Sequence, residues 1–147
     1  MRTLLLLTCL LFVPLLSAET VHEVKMLNMN ETGVMPFEPD YLAINPGDSI
    51  RFLPVDSGHN GATIRGFIPE GAARFISKID EDFTAQFTVE GWYGLRCAPH
   101  YAMGMVMLVK VGNPASDQLI LPEGLPFQVA ERFNRIIADH VDSAAAQ

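Results

Sequence analysis

Nine residues constrain this chain more than any others. Cys97-Ala98-Pro99-His100-Tyr101-Ala102-Met103-Gly104-Met105 carries a thiol, an imidazole three residues later, and a thioether eight residues after the thiol. All three are metal-binding side chains. Soft sulfur donors combined with imidazole select copper over calcium, magnesium or manganese. The flanks are strand-like. Tyr93, Leu95 and Cys97 fall on one face with Arg96 on the other, and Val106 to Val111 is almost wholly apolar. Cys97 therefore ends one strand and Met105 starts the next, so a hairpin-like connection carries three donors around one point. Pro99 stiffens the segment before His100, and Gly104 lets the backbone bend back. A further imidazole is required, and His59, in the loop Gly58-His59-Asn60-Gly61, is the best candidate.

The cysteine count sharpens this reading. Residues 1–18 have the pattern of a secretory signal: Arg2, an apolar run from Leu4 to Leu16, and small residues at Ser17-Ala18. The apolar run is too short to span a bilayer comfortably, so cleavage is expected rather than anchoring. Cys9 would leave with the signal, and Cys97 would be the one cysteine of the mature chain. A disulfide within that chain is then impossible. An unpaired thiol in an oxidising compartment has to be an inert core residue, an intermolecular bridge, a reactive group or a ligand. His100 and Met105 favour the ligand. A cysteine–histidine nucleophile lacks an orienting group and gives Met105 no role. Structural zinc sites favour several thiolates or imidazoles without thioether.

The rest of the chain supplies the scaffold. Thr20 to Met29, Tyr41 to Ile44, Ile50 to Leu53, Ala62 to Gly66, Phe83 to Val89, Tyr93 to Cys97 and Val106 to Val111 read as strands, with Pro69 to Lys78 ambiguous and able to hold one helical turn. Proline and glycine turns such as Asn45-Pro46-Gly47-Asp48 separate them. Seven to eight short strands joined this way indicate an all-β sandwich. The tail differs. Val129, Phe133, Ile136, Ile137 and Val141 share one face of a helix near Pro126. The expected organisation is a signal over 1–18, a sandwich over 19–113, and a helical extension over 114–147 that packs its apolar stripe on the sandwich.

Charge limits the partners. The chain carries 10 Lys and Arg against 17 Asp and Glu, and losing Arg2 takes the formal net charge from −7 to −8. Such a chain is a poor binder of nucleic acid or anionic membranes. Electron transfer with copper needs a site that serves both oxidation states with little rearrangement. Two imidazoles and a thiolate with a weak axial thioether provide it. Asn60 is placed to donate its backbone N–H to the Cys97 sulfur and to tie the two ligand loops together. His22 and His140 have no evident part in this.

These residues carry a resemblance. His22 to Asn28, Phe37-Glu38-Pro39, Pro46-Gly47-Asp48, Gly58-His59-Asn60, Ile68 to Ala72, Ser77-Lys78-Ile79, Tyr93-Gly94, Cys97 to Met105 and the helical tail make the chain resemble the pseudoazurins, periplasmic cupredoxins of bacteria. The resemblance implies a cupredoxin-like Greek-key β-sandwich and one type 1 copper ion held by His59, Cys97, His100 and Met105. It implies a one-electron carrier rather than an enzyme, monomeric and periplasmic. Redox proteins such as a cytochrome and a nitrite reductase would dock transiently on an apolar patch around His100 formed by Met35, Pro99 and Met103. A copper storage or delivery protein is the alternative. Ser57 and Arg96 stand where the family usually carries lysines, and the strong negative charge departs from the family norm.

Overall fold

The computed structural model describes residues 18–143. The signal expected over 1–18 lies outside them apart from Ala18. In chain order the strands are β1 Val21–Met26, β2 Met29–Asn30, β3 Gly33–Val34, β4 Phe37–Glu38, β5 Tyr41–Ile44, β6 Ser49–Pro54, β7 Ala62–Thr63, β8 Phe83–Gln86, β9 Gly91–Arg96 and β10 Val106–Val111, followed by the helix α1 Phe127–Ile137. One sheet has the order β4-β1-β6-β8 and the other β5-β10-β9-β7; β2 and β3 form a separate hairpin.

The two sheets pack face to face. Val24, Met26, Phe37, Ile50 and Phe52 from the first meet Tyr93, Leu95, Met107, Val109 and Val111 from the second in one buried cluster that also contains Cys97 and Met105. β10 explains the rest. Its alternate residues Val106 and Leu108 point to the opposite face, where they meet Val129, Phe133 and Ile136 of α1. A strand covered on both faces reads as a nearly continuous apolar run, and Val-Met-Leu-Val-Lys-Val does so apart from the half-buried Lys110. The helix therefore covers the outer face of the second sheet, as its stripe of apolar residues leads one to expect. No helix among the described residues is long and apolar enough to cross a membrane.

Some local expectations fail for identifiable reasons. The first strand stops at Met26, because the Leu27 and Met35 N–H groups turn to the Pro36 and Asn28 carbonyls and start the β2–β3 hairpin. No helical turn forms over Glu70 to Phe75. Gly71 takes φ 79, and the chain then runs extended beside β7, where the Thr63 N–H donates to the Phe75 carbonyl and Ile76 bridges Ala62. Beyond Gln86 the ladder ends, yet Phe87 stays buried because it exchanges backbone hydrogen bonds with Gly47 and Asp48. His22 lies 3.0 Å from Asp48, and His140 stacks on Tyr41, so neither is merely solvated.

Candidate metal centre

β9 and β10 pair antiparallel with Arg96 opposite Val106, and the ladder continues one step as the Cys97 N–H donates to the Met105 carbonyl at 3.0 Å. The mouth of this hairpin holds three of the expected donors. The His100 carbonyl accepts from Met103 at 3.0 Å and Met105 at 3.2 Å, which folds the loop into a single turn over Tyr101–Met103. Gly104 closes that turn with φ 83, and a Cβ there would lie 2.8 Å from the Gln128 carbonyl of α1. Left-handed backbone and close approach together require glycine. Met105 is wholly buried beside Cys97 in the inter-sheet core.

His59 arrives from the loop after β6. Asp80 holds that loop, with one carboxylate oxygen accepting from the Gly58 N–H at 2.6 Å and the His59 N–H at 3.3 Å. The His59 ring places Nδ1 3.7 Å from Cys97 Sγ and 3.1 Å from His100 Nδ1, and His100 Nδ1 lies 3.6 Å from the sulfur. His59, Cys97 and His100 are also the one group of at least three His, Cys, Asp or Glu side chains suited to a metal among the described residues. A triangle with these sides has a centre about 2.0 Å from each corner, a length suited to imidazole and thiolate bonds to a small transition-metal ion. The donor set is thus already gathered at coordination distance, and copper fits it.

Fixed partners hold each ring and the sulfur. The other His59 nitrogen, Nε2, meets Asn28 Oδ1 at 3.0 Å, which orients the ring and leaves Nδ1 for the site. The Asn60 N–H donates to Cys97 Sγ at 3.5 Å, and its side-chain oxygen accepts from the Ala98 N–H at 2.7 Å, so this residue joins the two loops as its position suggested. Its amide nitrogen donates to the Ser77 carbonyl at 3.0 Å, and Ser77 Oγ in turn accepts from the Gly61 N–H at 3.1 Å. Asn28 and Asp80 were not legible as site residues. Asn28 stands in a turn far from His59 in sequence, and only the β1–β6 pairing brings the two together.

The electrostatics favour a cation at the centre. Burial pushes the Cys97 thiol above its usual range, opposed by hydrogen bonds from the Asn60 and His100 backbone. Burial, then the neighbouring His100, pushes His59 below its usual value. Neither group readily carries charge alone, and a bound cation would stabilise the thiolate and the neutral imidazoles together. Exposure is graded across the donors: His59, Cys97 and Met105 are fully buried, whereas His100 is half-buried. Of the residues expected to border it, Pro99 is exposed, Met35 half-buried and Met103 45% exposed.

Comparison with known proteins agrees with this geometry. Residues 24–112 match the family described as copper binding proteins, plastocyanin/azurin family. The pseudoazurin of Paracoccus pantotrophus is 41% identical over 126 residues, covering 86% of this chain and 82% of the relative. A putative pseudoazurin of Rhizobium leguminosarum bv. viciae is 43% identical over 118 residues, 80% of this chain and 78% of the relative. The crystal structure of pseudoazurin from Methylobacterium extorquens AM1 superposes with a TM-score of 0.72 at 39% identity, covering 81% of this chain and 98% of that one.

Proposed function

Because the chain belongs to the plastocyanin/azurin family of copper-binding proteins, and within it to the pseudoazurins, we propose that it is a blue copper electron carrier whose ligands are His59, Cys97, His100 and Met105. The observation that carries this reading is the triangle of Nδ1, Nδ1 and Sγ atoms set at coordination distance by two loops. Bound copper supplies a one-electron couple between Cu(I) and Cu(II). The protein supplies rigidity. Asn28 fixes His59, the Asn60 N–H donates to the thiolate sulfur, and the paired β9 and β10 hold the positions of Cys97 and Met105. Little has to move when the charge at the centre changes, which is what a fast carrier needs. The site also leaves no position for a substrate if all four donors are used, in keeping with a carrier rather than an enzyme.

His100 is the donor nearest solvent, so its outer edge is the natural port for electrons. Met35, Pro99 and Met103 surround it with apolar surface on which a redox partner docks briefly. Cytochromes and nitrite reductases are partners of the appropriate kind, and the protein works as a monomer in the periplasm. Burial of His59, Cys97 and Met105 speaks against delivery, since a donor of copper must expose its ligands to the recipient. Copper titration of the wild type and of Cys97→Ser tests the assignment. Intense blue absorption is expected in the first and none in the second, with the β-sheet circular dichroism preserved. Equal colour in both would remove Cys97 from the site.

A further inference from the structure

The outer face of the second sheet is packed at one end and hollow at the other. Val106 and Leu108 lie under Val129, Phe133 and Ile136 of α1. Lys110 is the next residue on that face of β10. Around it the walls come from His140 and Val141, in the turn Ala138–Asp142 that follows α1, and from the loop over 113–116. They leave a cavity of about 400 Å³, toward the lower end of the range usual for small-ligand sites. Strand register builds its floor. Lys110 stands directly opposite Trp92 of β9, so the two share a face, and Tyr41 of β5 packs on the cluster that contains Leu108 and Trp92. The Lys110 ammonium is held but not neutralised. It donates to Asn113 Oδ1 at 3.2 Å and lies 5.8 Å from the centre of the Trp92 ring, within cation–π reach. It has no carboxylate partner among the described residues, and no acidic side chain lines the cavity. The Trp92 ring is fixed in turn, because its Nε1–H donates to the Ala115 carbonyl at 3.0 Å. His140 stacks on Tyr41 with ring centres 4.7 Å apart and planes within 10° of parallel.

We propose that this cavity binds a small aromatic carboxylate, its charge paired with the Lys110 ammonium and its ring packed among Tyr41, Trp92 and His140. One fixed cation beside flat aromatic walls is the combination that holds a planar anion. An inorganic anion would use Lys110 alone and leave the apolar surface of Pro114 and Val141 facing water. A neutral ring would forgo the charge. The net charge of −7 opposes anions at long range. It does not cancel the local attraction, because at about 0.15 M ionic strength charges more than about 8 Å away are largely screened. The cavity is separate from the metal centre. Lys110 stands five residues along β10 from Met105, about 17 Å at the rise of a strand, and it points to the opposite face of the sheet. The inference therefore does not depend on the copper reading.

Titration of the reduced, copper-loaded protein with sodium benzoate, followed by amide and indole chemical shifts at near-physiological salt, tests this. The chain has one tryptophan, so the indole N–H signal belongs to Trp92. Shifts are expected there and at residues 41, 110–116 and 140–141. Binding should be about tenfold or more weaker in Lys110→Gln and largely restored in Lys110→Arg, which keeps the charge. His140→Ala, at an exposed side chain, should weaken binding in the same direction and guards against misfolding of the Lys110 variants. No shifts, shifts centred instead on Pro99, His100 and Met103, or equal affinity in Lys110→Gln would overturn the proposal. So would acetate or inorganic phosphate binding as tightly as benzoate, which would reveal a plain ion site, or benzyl alcohol doing so, which would show that the charge is not read. A failure of the copper reading would appear separately, as a colourless protein that still binds benzoate.

Discussion

At the scale of single residues, the account turns on partners that hold side chains in one orientation. Asn28 is the clearest. Its Oδ1 meets His59 Nε2, and its own N–H donates to Asp56 Oδ2 at 2.6 Å. Asn28→Leu should weaken copper binding about 10–100-fold, the usual cost of losing such an outer partner, and competition with a chelator would measure it. Unchanged affinity would make this contact incidental. Asp48 gives a pH-dependent counterpart far from the site. Its buried carboxylate accepts from His22 Nε2 and from the Thr20 and Asn45 N–H groups, each at 3.0 Å. The His22 contact foremost, then the two backbone donors, hold its pKa below the ordinary 3.8 while burial opposes them. A carboxyl depressed on folding adds stability above its unfolded pKa and loses it as pH falls through the folded value. Asp48→Asn should therefore cost about 1–3 kcal/mol at neutral pH, with the gap to the wild type closing in acid. Urea unfolding across a pH series reads both. Of these residues the sequence reveals the donors but not their holders. Cys97, His100 and Met105 are legible because one short segment carries them. Asn28 and Asp80 act across strands and loops that only the folded chain brings together.

At the scale of elements, α1 is more than a cover. Val129, Phe133 and Ile136 close the outer face of β10, and Arg132 and Arg135 reach across to donate to the Val34 carbonyl at 3.0 Å and the Thr32 carbonyl at 3.1 Å. The helix thus clamps the hairpin that leads to Met35 on one side and backs Gly104 of the ligand loop on the other. Phe133→Ala should cost about 3–5 kcal/mol by leaving a cavity under β10, measured by chemical unfolding. Gly104→Ala combines an unfavourable left-handed φ, worth about 1–2 kcal/mol, with a clash against the Gln128 carbonyl. It should also disturb the backbone of Met105 and so alter the visible spectrum, whereas a spectrum identical to the wild type would mean that the loop tolerates the shift. The amphipathic period of this helix is plain in the sequence, as are β5 and β10, because their apolar residues are either periodic or continuous. The two-residue strands are not. β2, β3 and β4 exist through their pairing rather than through any pattern of their own, and β7 is only the first two residues of the strand the sequence suggests over Ala62 to Gly66.

At the scale of the whole molecule, charge decides with whom the protein meets. An acidic body with net charge −7 carries a half-buried imidazole edge in apolar surface and a cluster of unpaired arginines elsewhere. A cationic oxidant such as tris(phenanthroline)cobalt(III) should oxidise the reduced protein more slowly as salt rises, because screening removes the attraction of the whole body. Stopped-flow rates over a range of ionic strength check this, and an increase with salt would show that a local basic surface governs the encounter instead. The central claim is that the donors gathered by two loops hold a redox-active copper ion. Spectroelectrochemistry of the copper-loaded protein tests it most directly. The account predicts intense blue absorption that bleaches and returns reversibly with one electron per chain; a colourless protein, or one with no reversible couple, would contradict it.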